Sequence, residues 1–192
     1  ISLAPAAQAK CFELDRFLGT ACRLTRQLRT GFAPLPEPPI LSGRALRVLV
    51  VADPAADAPL PGAQEEGESV AAIFEELGRT SEVEVVRLFG PGEATRVAVL
   101  DQLINHRFDI LHYCGHCFFN AADPPRSGWL FNADPQYVLT AHELSRIDRV
   151  PRFVFSNACE SGITPDRASA RNALLAPSFA EAFFARGVSN FI

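Results

Sequence analysis

Two apolar segments of the chain each lead into a residue that could take part in nucleophilic catalysis. Residues 109–113 run into His116, and residues 153–156 run into Cys159. A cysteine attacks a carbonyl as the thiolate, and a nearby imidazole can take up the thiol proton and pass it to the leaving group. The two residues therefore form a candidate dyad of a cysteine peptidase, provided that the fold brings them to one opening.

The segment Cys114-Gly115-His116-Cys117 is identical to the active-site motif of protein disulfide isomerases. It therefore indicates a second candidate chemistry, dithiol–disulfide exchange. Such a site needs a helix that begins after the first cysteine, because the helix amides lower the pKa of the thiol. Here residues 118–125 follow the motif, and their two prolines disfavour a helix. A dithiol oxidoreductase that uses Cys114 and Cys117 is the alternative enzyme.

The same stretch contains ligand types that suit zinc. Cys114, His116 and Cys117 would be three ligands, with His112 or Cys159 as the fourth. Neighbours in a strand point to opposite faces, however, and the spacing differs from that of a closed structural zinc site. We therefore predict no metal site, and we expect His112 to be a core or supporting histidine.

The elements that carry these residues alternate between strand and helix. Apolar runs predict strands over residues 46–52, 83–89, 108–113 and 153–156, and helical spacing predicts helices near residues 64–77 and 94–105. This alternation predicts an α/β fold with three αβα layers and a mostly parallel sheet. Sites of such sheets lie outside the carboxyl ends of the strands, so we expect the strands that lead to His116 and Cys159 to be neighbours.

The alternation breaks between residues 117 and 140. Turn residues and two short apolar pieces predict a loop and a small hairpin, with strands over residues 129–131 and 137–139. Thr140 and Glu143 have the spacing of a capping box, which predicts a short helix that runs to about Ile147. We expect a helix near residues 176–185 and a last strand over residues 188–192 to follow.

The first part of the chain is expected to precede the α/β core. Within residues 1–31, helical spacing predicts an amphipathic helix, either on its own or as the end of a preceding helical region. Four prolines predict a linker over residues 32–45. The helical stripe consists of Leu14, Phe17, Ala21, Leu24 and Leu28. The core is assigned to residues 46–192, and we expect it to be incomplete at the C-terminus because it ends inside a predicted strand.

The composition narrows the classes of function. With 192 residues, 48% of them hydrophobic and 21% charged, the chain is large enough for one compact domain. A net charge of −4 makes no case for nucleic-acid binding, and no apolar run reaches the roughly 20 residues that span a bilayer. Five irregularly spaced cysteines do not make a secreted disulfide framework, so we expect the reducing cytoplasm.

The motifs at the two strand ends resemble those of the CHAT family, whose caspase-like domains are often fused to helical repeats or sensor domains. The family motifs are similar to His-x-x-Gly-His-Gly and Ala-Cys-Glu-Thr-Gly. This chain has His112-Tyr113-Cys114-Gly115-His116-Cys117 and Ala158-Cys159-Glu160-Ser161-Gly162, and the likeness covers residues 46–192. The resemblance implies a caspase–hemoglobinase fold and an endopeptidase, with His116 as general acid and base, Cys159 as nucleophile and no cofactor.

The resemblance also implies the rest of the site. The backbone amides of Cys117 and Cys159 would form the oxyanion hole, although the family usually has glycine where this chain has Cys117. Asn157 and Glu160 are the predicted substrate-binding residues. Asn157 matches the position at which the related metacaspases use an acidic residue to hold a basic side chain, and an uncharged residue there predicts no strong preference for Arg or Lys.

The partners that the resemblance implies are a protein substrate and a sensor, a helical-repeat region or a regulatory partner that activates the peptidase. We expect no direct contact with nucleic acid and none with a membrane. A catalytically weak pseudoprotease, or a docking module in a larger assembly, is the further alternative. The observation that favours it is Cys117, which stands where the family usually has glycine.

Overall fold

A computed structural model describes residues 44–132, 137–158 and 179–192 of the chain. The centre of this part is a five-stranded sheet, which consists of β1 (Leu46–Ala52), β2 (Val83–Phe89), β3 (Ile110–Cys114), β7 (Phe153–Asn157) and β8 (Asn190–Phe191). The order across the sheet is β2-β1-β3-β7-β8, and each pair of neighbours is parallel. The predicted parallel α/β sheet is confirmed.

Helices connect the strands. They are α1 (Pro61–Gly78), α2 (Gly90–Glu93), α3 (Arg96–Asn105), α4 (Ala141–Leu144) and α5 (Phe179–Ala185). Pro61 stands in the first turn of α1, where a helix loses nothing by the missing N–H of proline. The Thr95 hydroxyl caps α3 by accepting a hydrogen bond from the Ala98 amide. Both predicted helices are present: α1 begins three residues before the predicted segment 64–77, and α3 begins two residues after the start of the predicted segment 94–105.

Alternation of side chains along β1 divides the core into two layers. Val48 and Val50 belong to the cluster that faces α1, where they lie with Ala71. Leu49 and Val51 belong to the larger cluster on the opposite face, which includes side chains of α3, α4 and α5. Helices therefore cover both faces of the sheet, and the predicted three-layer αβα arrangement, like that of the caspases, is confirmed.

A small antiparallel sheet interrupts the alternation. Its strands are β4 (Cys117–Phe118), β5 (Gly128–Leu130) and β6 (Val138–Thr140), in that order. The predicted hairpin is confirmed with each strand displaced by one residue. β4 was not predicted, because two residues are too few to show the alternation of a strand.

The capping box of α4 is present, since the Thr140 hydroxyl accepts from the Glu143 amide and the Glu143 carboxylate accepts from the Thr140 amide. The prediction that this helix runs to Ile147 is wrong. The amides of Arg146 and Ile147 bond to carbonyls three residues earlier, so the chain continues in tight turns after Leu144.

The predicted N-terminal helix and almost all of the predicted linker lie outside the described residues, as do residues 176–178 of the predicted last helix. The assignment of residues 1–31, 32–45 and 46–192 stays a prediction. Within the part of the chain that the structure describes, none of the helices has both the length and the apolar character needed to cross a bilayer.

Candidate active site

His116 lies in the turn between β3 and β4, at the carboxyl edge of the large sheet. β3 ends at Cys114 and β4 begins at Cys117, so only two residues connect the strands. The backbone carbonyl of His116 accepts hydrogen bonds from the Tyr113 hydroxyl at 2.7 Å and from the Leu130 amide at 2.9 Å. These two bonds fix the backbone that carries the imidazole.

The imidazole of His116 reaches the connection between β1 and α1. Its Nε2 lies 2.8 Å from the carbonyl oxygen of Ala58. A carbonyl oxygen can only accept, so Nε2 carries the proton in this contact and Nδ1 is the nitrogen that can act as a base. The connection bends at Asp53, which has a φ of 46° and whose carboxylate accepts from the Leu60 amide at 2.7 Å. The bend thus brings the carbonyl of Ala58 to the imidazole.

Tyr113 supports His116 from within the core. Its ring is fully buried and stacks on Trp129, with 4.3 Å between the ring centroids. Burial raises the pKa of Tyr113 well above its usual value, so the hydroxyl stays protonated and can donate to the His116 carbonyl. Sequence reasoning missed this role, although the position of Tyr113 on the strand that leads to His116 was visible.

The residues around the predicted nucleophile are described only up to Ala158, and both Cys159 and Glu160 lie outside the described residues. β7 is the parallel neighbour of β3, and Asn157 is in register with Cys114. His116 follows Cys114 by two residues, and Cys159 follows Asn157 by two residues. The expectation that the two strands are neighbours is confirmed, while the roles of Cys159 and Glu160 stay predictions.

Glu66 of α1 connects the ends of β3 and β7. One oxygen of its carboxylate lies 2.9 Å from Nε2 of His112, and the other accepts a hydrogen bond from the side-chain amide of Asn157. His112 is 7% exposed and stacks on Phe155, with 5.0 Å between the centroids. Burial lowers the pKa of His112, and the charge of Glu66 offsets this only in part. The imidazole is therefore neutral at pH 7 and donates from Nε2.

Sequence reasoning placed His112 correctly as a buried supporting histidine, but it missed Glu66. Asn157 was predicted to bind substrate, and that role stays a prediction. Its side-chain amide nevertheless donates a hydrogen bond to Glu66, so a carboxylate lies beside this uncharged side chain. No local signal pointed to Glu66, because the sequence around it reads only as the polar side of a helix.

The two cysteines of the dithiol motif lack the surroundings of a redox site. Cys114 is 1% exposed, and its thiol donates to the carbonyl of Ala63 at 3.1 Å. Burial, with a smaller contribution from Glu66, raises the pKa of the Cys114 thiol to about 12, whereas a reactive dithiol needs a lowered pKa. Cys117 is buried at the start of a strand rather than a helix, and the two cysteines are not bonded to each other. These surroundings argue against the dithiol oxidoreductase.

In the described part of the chain, the zinc ligands weighed from the sequence do not converge as a set. Among the described residues, the donor atoms that lie close enough to share an ion belong to Glu66, His112 and Cys114, all within 4.8 Å of one another. Cys114 and His112 were in the weighed set, whereas Glu66 takes the place of His116 and Cys117. Each of the three has a hydrogen-bond partner in the protein, and the thiol is protonated, so the cluster is complete as a hydrogen-bonded network.

A cavity of about 840 Å³ lies beside the small sheet rather than at His116. Its lining includes Arg96, Phe118, Asp123, Arg126, His142 and Glu143. Arg96 is already paired there, because its guanidinium contacts the Glu143 carboxylate and donates to the carbonyl of Val138. The cavity adds no residue to the candidate dyad.

A parallel sheet between two helical layers, with a histidine at its carboxyl edge and a cysteine expected beyond the neighbouring strand, defines a caspase-like α/β domain. The sequence model of the CHAT domain matches residues 5–192. The chain therefore belongs to the CHAT family, a family of caspase-like cysteine peptidases. Among curated proteins, none matches the chain.

Proposed function

We propose that this chain is a cysteine endopeptidase domain in which Cys159 is the nucleophile and His116 is the general acid and base. The observation that carries the proposal is the register of β3 and β7. Because Cys114 and Asn157 are partners in adjacent parallel strands, His116 and Cys159 each follow at the same distance along the chain. Membership of the CHAT family supports the same assignment.

In the proposed reaction, the thiol of Cys159 gives its proton to Nδ1 of His116 and the thiolate adds to the carbonyl carbon of a peptide bond. The backbone amides of Cys117 and Cys159 hold the oxyanion. The C–N bond then breaks, and the amine leaves with the proton from His116. Water cleaves the resulting thioester, and its proton returns through His116 to the thiol, so no cofactor takes part.

The substrate is a protein, and we assign control of the activity to a sensor, a helical-repeat region or a regulatory partner. This part of the proposal rests on what CHAT domains are commonly fused to. Its test is whether the intact protein cleaves a substrate only when that region or partner has been engaged.

The dyad is tested by incubating the intact protein with a peptide library made from a proteome digest and identifying new termini by mass spectrometry. Cys159→Ala should abolish cleavage. His116→Ala should reduce the rate by about 10²- to 10⁴-fold, the usual contribution of a general acid and base. The Cys114→Ser, Cys117→Ser double variant serves as the control and should still cleave.

Three results would count against the proposal. Cleavage that persists in Cys159→Ala would remove the nucleophile. Disulfide exchange that is lost in the cysteine double variant would restore the dithiol alternative. An intact protein that cleaves nothing while it is engaged with its partner would favour the pseudoprotease or docking module.

A further inference from the structure

Glu66 is in contact with both strands that lead to the proposed dyad. His112 comes four residues before His116, and Asn157 comes two residues before Cys159. Each oxygen of the Glu66 carboxylate is bonded to one of these side chains. A single side chain of α1 thus ties the end of β3 to the end of β7.

The backbone pairing of β3 and β7 ends at this edge of the sheet. Beyond the paired residues of β3 and β7, the amide of Gly115 donates to the carbonyl of Asn157 at 3.3 Å, which is long for a hydrogen bond of this type. This bond is the one that follows the last paired residues, Cys114 and Asn157, among the described residues. The two bonds to Glu66 add lateral contacts between the strand ends at the height of the candidate site.

The direction of each hydrogen bond to Glu66 is fixed, because the carboxylate can only accept. Both partners of the carboxylate are neutral donors, since His112 donates from Nε2 and Asn157 donates from its amide. A carboxylate accepts two such bonds without competition, whereas an amide in its place would offer one acceptor and one donor. The site is thus sensitive to a change that leaves the shape of the side chain unaltered.

We propose that Glu66 is a positioning residue of the peptidase, which holds the ends of β3 and β7 so that His116 and Cys159 meet in the productive geometry. The inference rests on the proposed function of the dyad. It assigns Glu66 no contact with substrate, and its effect passes through His112 and Asn157. Small displacements of reacting groups are costly in such sites, about 10²-fold in rate for an error of about 1 Å.

The first experiment compares Glu66→Gln with Glu65→Gln. Glu65 is the exposed neighbour on the same helix, so its replacement removes the same charge without touching the network. With a peptide that lacks Arg and Lys at the cleavage site, we expect Glu66→Gln to lower kcat by about 10- to 100-fold and to leave KM within about twofold. Glu65→Gln should leave both constants within about twofold.

The second experiment exchanges the donor and the acceptor of the hydrogen bond between positions 66 and 157. In the double variant Glu66→Gln, Asn157→Asp, the glutamine amide can donate to the new carboxylate while its oxygen still accepts from His112, and neither side chain changes in length. Asn157→Asp alone places two carboxylates together and should lower kcat. We expect the double variant to be at least fivefold more active than either single variant.

The outcomes separate the inference from the proposed function. If Glu66→Gln cleaves like the parent protein, or if the double variant is no better than the worse single variant, Glu66 is not a positioning residue. If Cys159→Ala still cleaves, the dyad itself is wrong. Should Glu66→Gln fail to fold, the recovery in the double variant decides the question, because that variant restores the bonds.

Discussion

Burial determines the protonation of the titratable side chains of β3. His112, Tyr113 and Cys114 are consecutive, and each is at most 7% exposed. Desolvation favours the neutral form of each group, so it lowers the pKa of the imidazole and raises the pKa of the phenol and of the thiol. The three neutral side chains can then act as hydrogen-bond donors to Glu66, His116 and Ala63.

The lowered pKa of His112 predicts a specific dependence of stability on pH. In the unfolded chain His112 should titrate near its ordinary pKa of 6.5, above its pKa in the folded protein. Between these values the unfolded state binds more protons, so the contribution to the free energy of unfolding is full above pH 6.5 and is lost as the pH falls toward the folded pKa.

Urea unfolding at about pH 7.5 and pH 5.5 measures this dependence. The loss of stability on acidification should be smaller in His112→Gln than in the parent protein. His142→Gln, which changes an exposed histidine, is the control and should keep the parent dependence. An equal loss in His112→Gln and the parent would show that His112 does not set the response.

At the scale of the elements, the position of α1 controls the network around Glu66. Gly67 is buried against β1, and a Cβ added to it would lie 2.4 Å from the Cβ of Ala52 and 3.6 Å from the sulfur of Cys114. The absence of a side chain at Gly67 lets the helix approach the strand closely. This approach brings Glu66 within reach of His112 and Asn157.

Gly67→Ala should therefore destabilise the fold and disturb the site together. We expect the free energy of unfolding to fall by about 1–3 kcal/mol, because the Cβ of Ala52 belongs to a strand and cannot turn aside. The matched control is Gly62→Ala in the first turn of the same helix, where an added Cβ meets nothing within 4 Å. Chemical denaturation should show no loss for Gly62→Ala, and equal losses in both variants would contradict the role of the close approach.

At the scale of the whole molecule, Trp129 joins the small sheet to the large one. It is fully buried, its indole N–H donates to the hydroxyl of Ser156 on β7 at 2.8 Å, and its ring contacts Tyr113 of β3. Phe179 and Phe183 of α5 pack against the same ring, with centroids 5.0 and 5.4 Å away. One side chain of β5 thus contacts both strands that lead to the candidate dyad.

Trp129→Phe should lower the free energy of unfolding by about 1–3 kcal/mol, because it removes one buried hydrogen bond and part of the packed volume. Ser156→Ala keeps the indole in place and should cost about 1 kcal/mol, which separates the bond from the packing. Unfolding followed by circular dichroism measures both variants without using the tryptophan signal. A loss below about 0.5 kcal/mol for Trp129→Phe would show that the two sheets are joined by other contacts.

Prediction from the sequence worked best where a local pattern was long. The strands at residues 46–52 and 83–89 were predicted with their observed bounds, because seven consecutive residues with the pattern of a strand define the element clearly. The capping box at Thr140 was recognised for a similar reason, since its two bonds join residues only three positions apart. The end of α4 was missed, because the turns after Leu144 depend on the contacts of the following chain.

The sequence by itself determined the α/β fold and placed His116 and Cys159 at the ends of two strands, because apolar runs define strands and parallel strands share one carboxyl edge. Only the tertiary structure decided which side chains surround that edge. Glu66 is separated from His112 by 46 positions and from Asn157 by 91, and Trp129 is separated from Ser156 by 27. Contacts over such separations depend on how a helix or a small sheet packs, and no local periodicity encodes that packing.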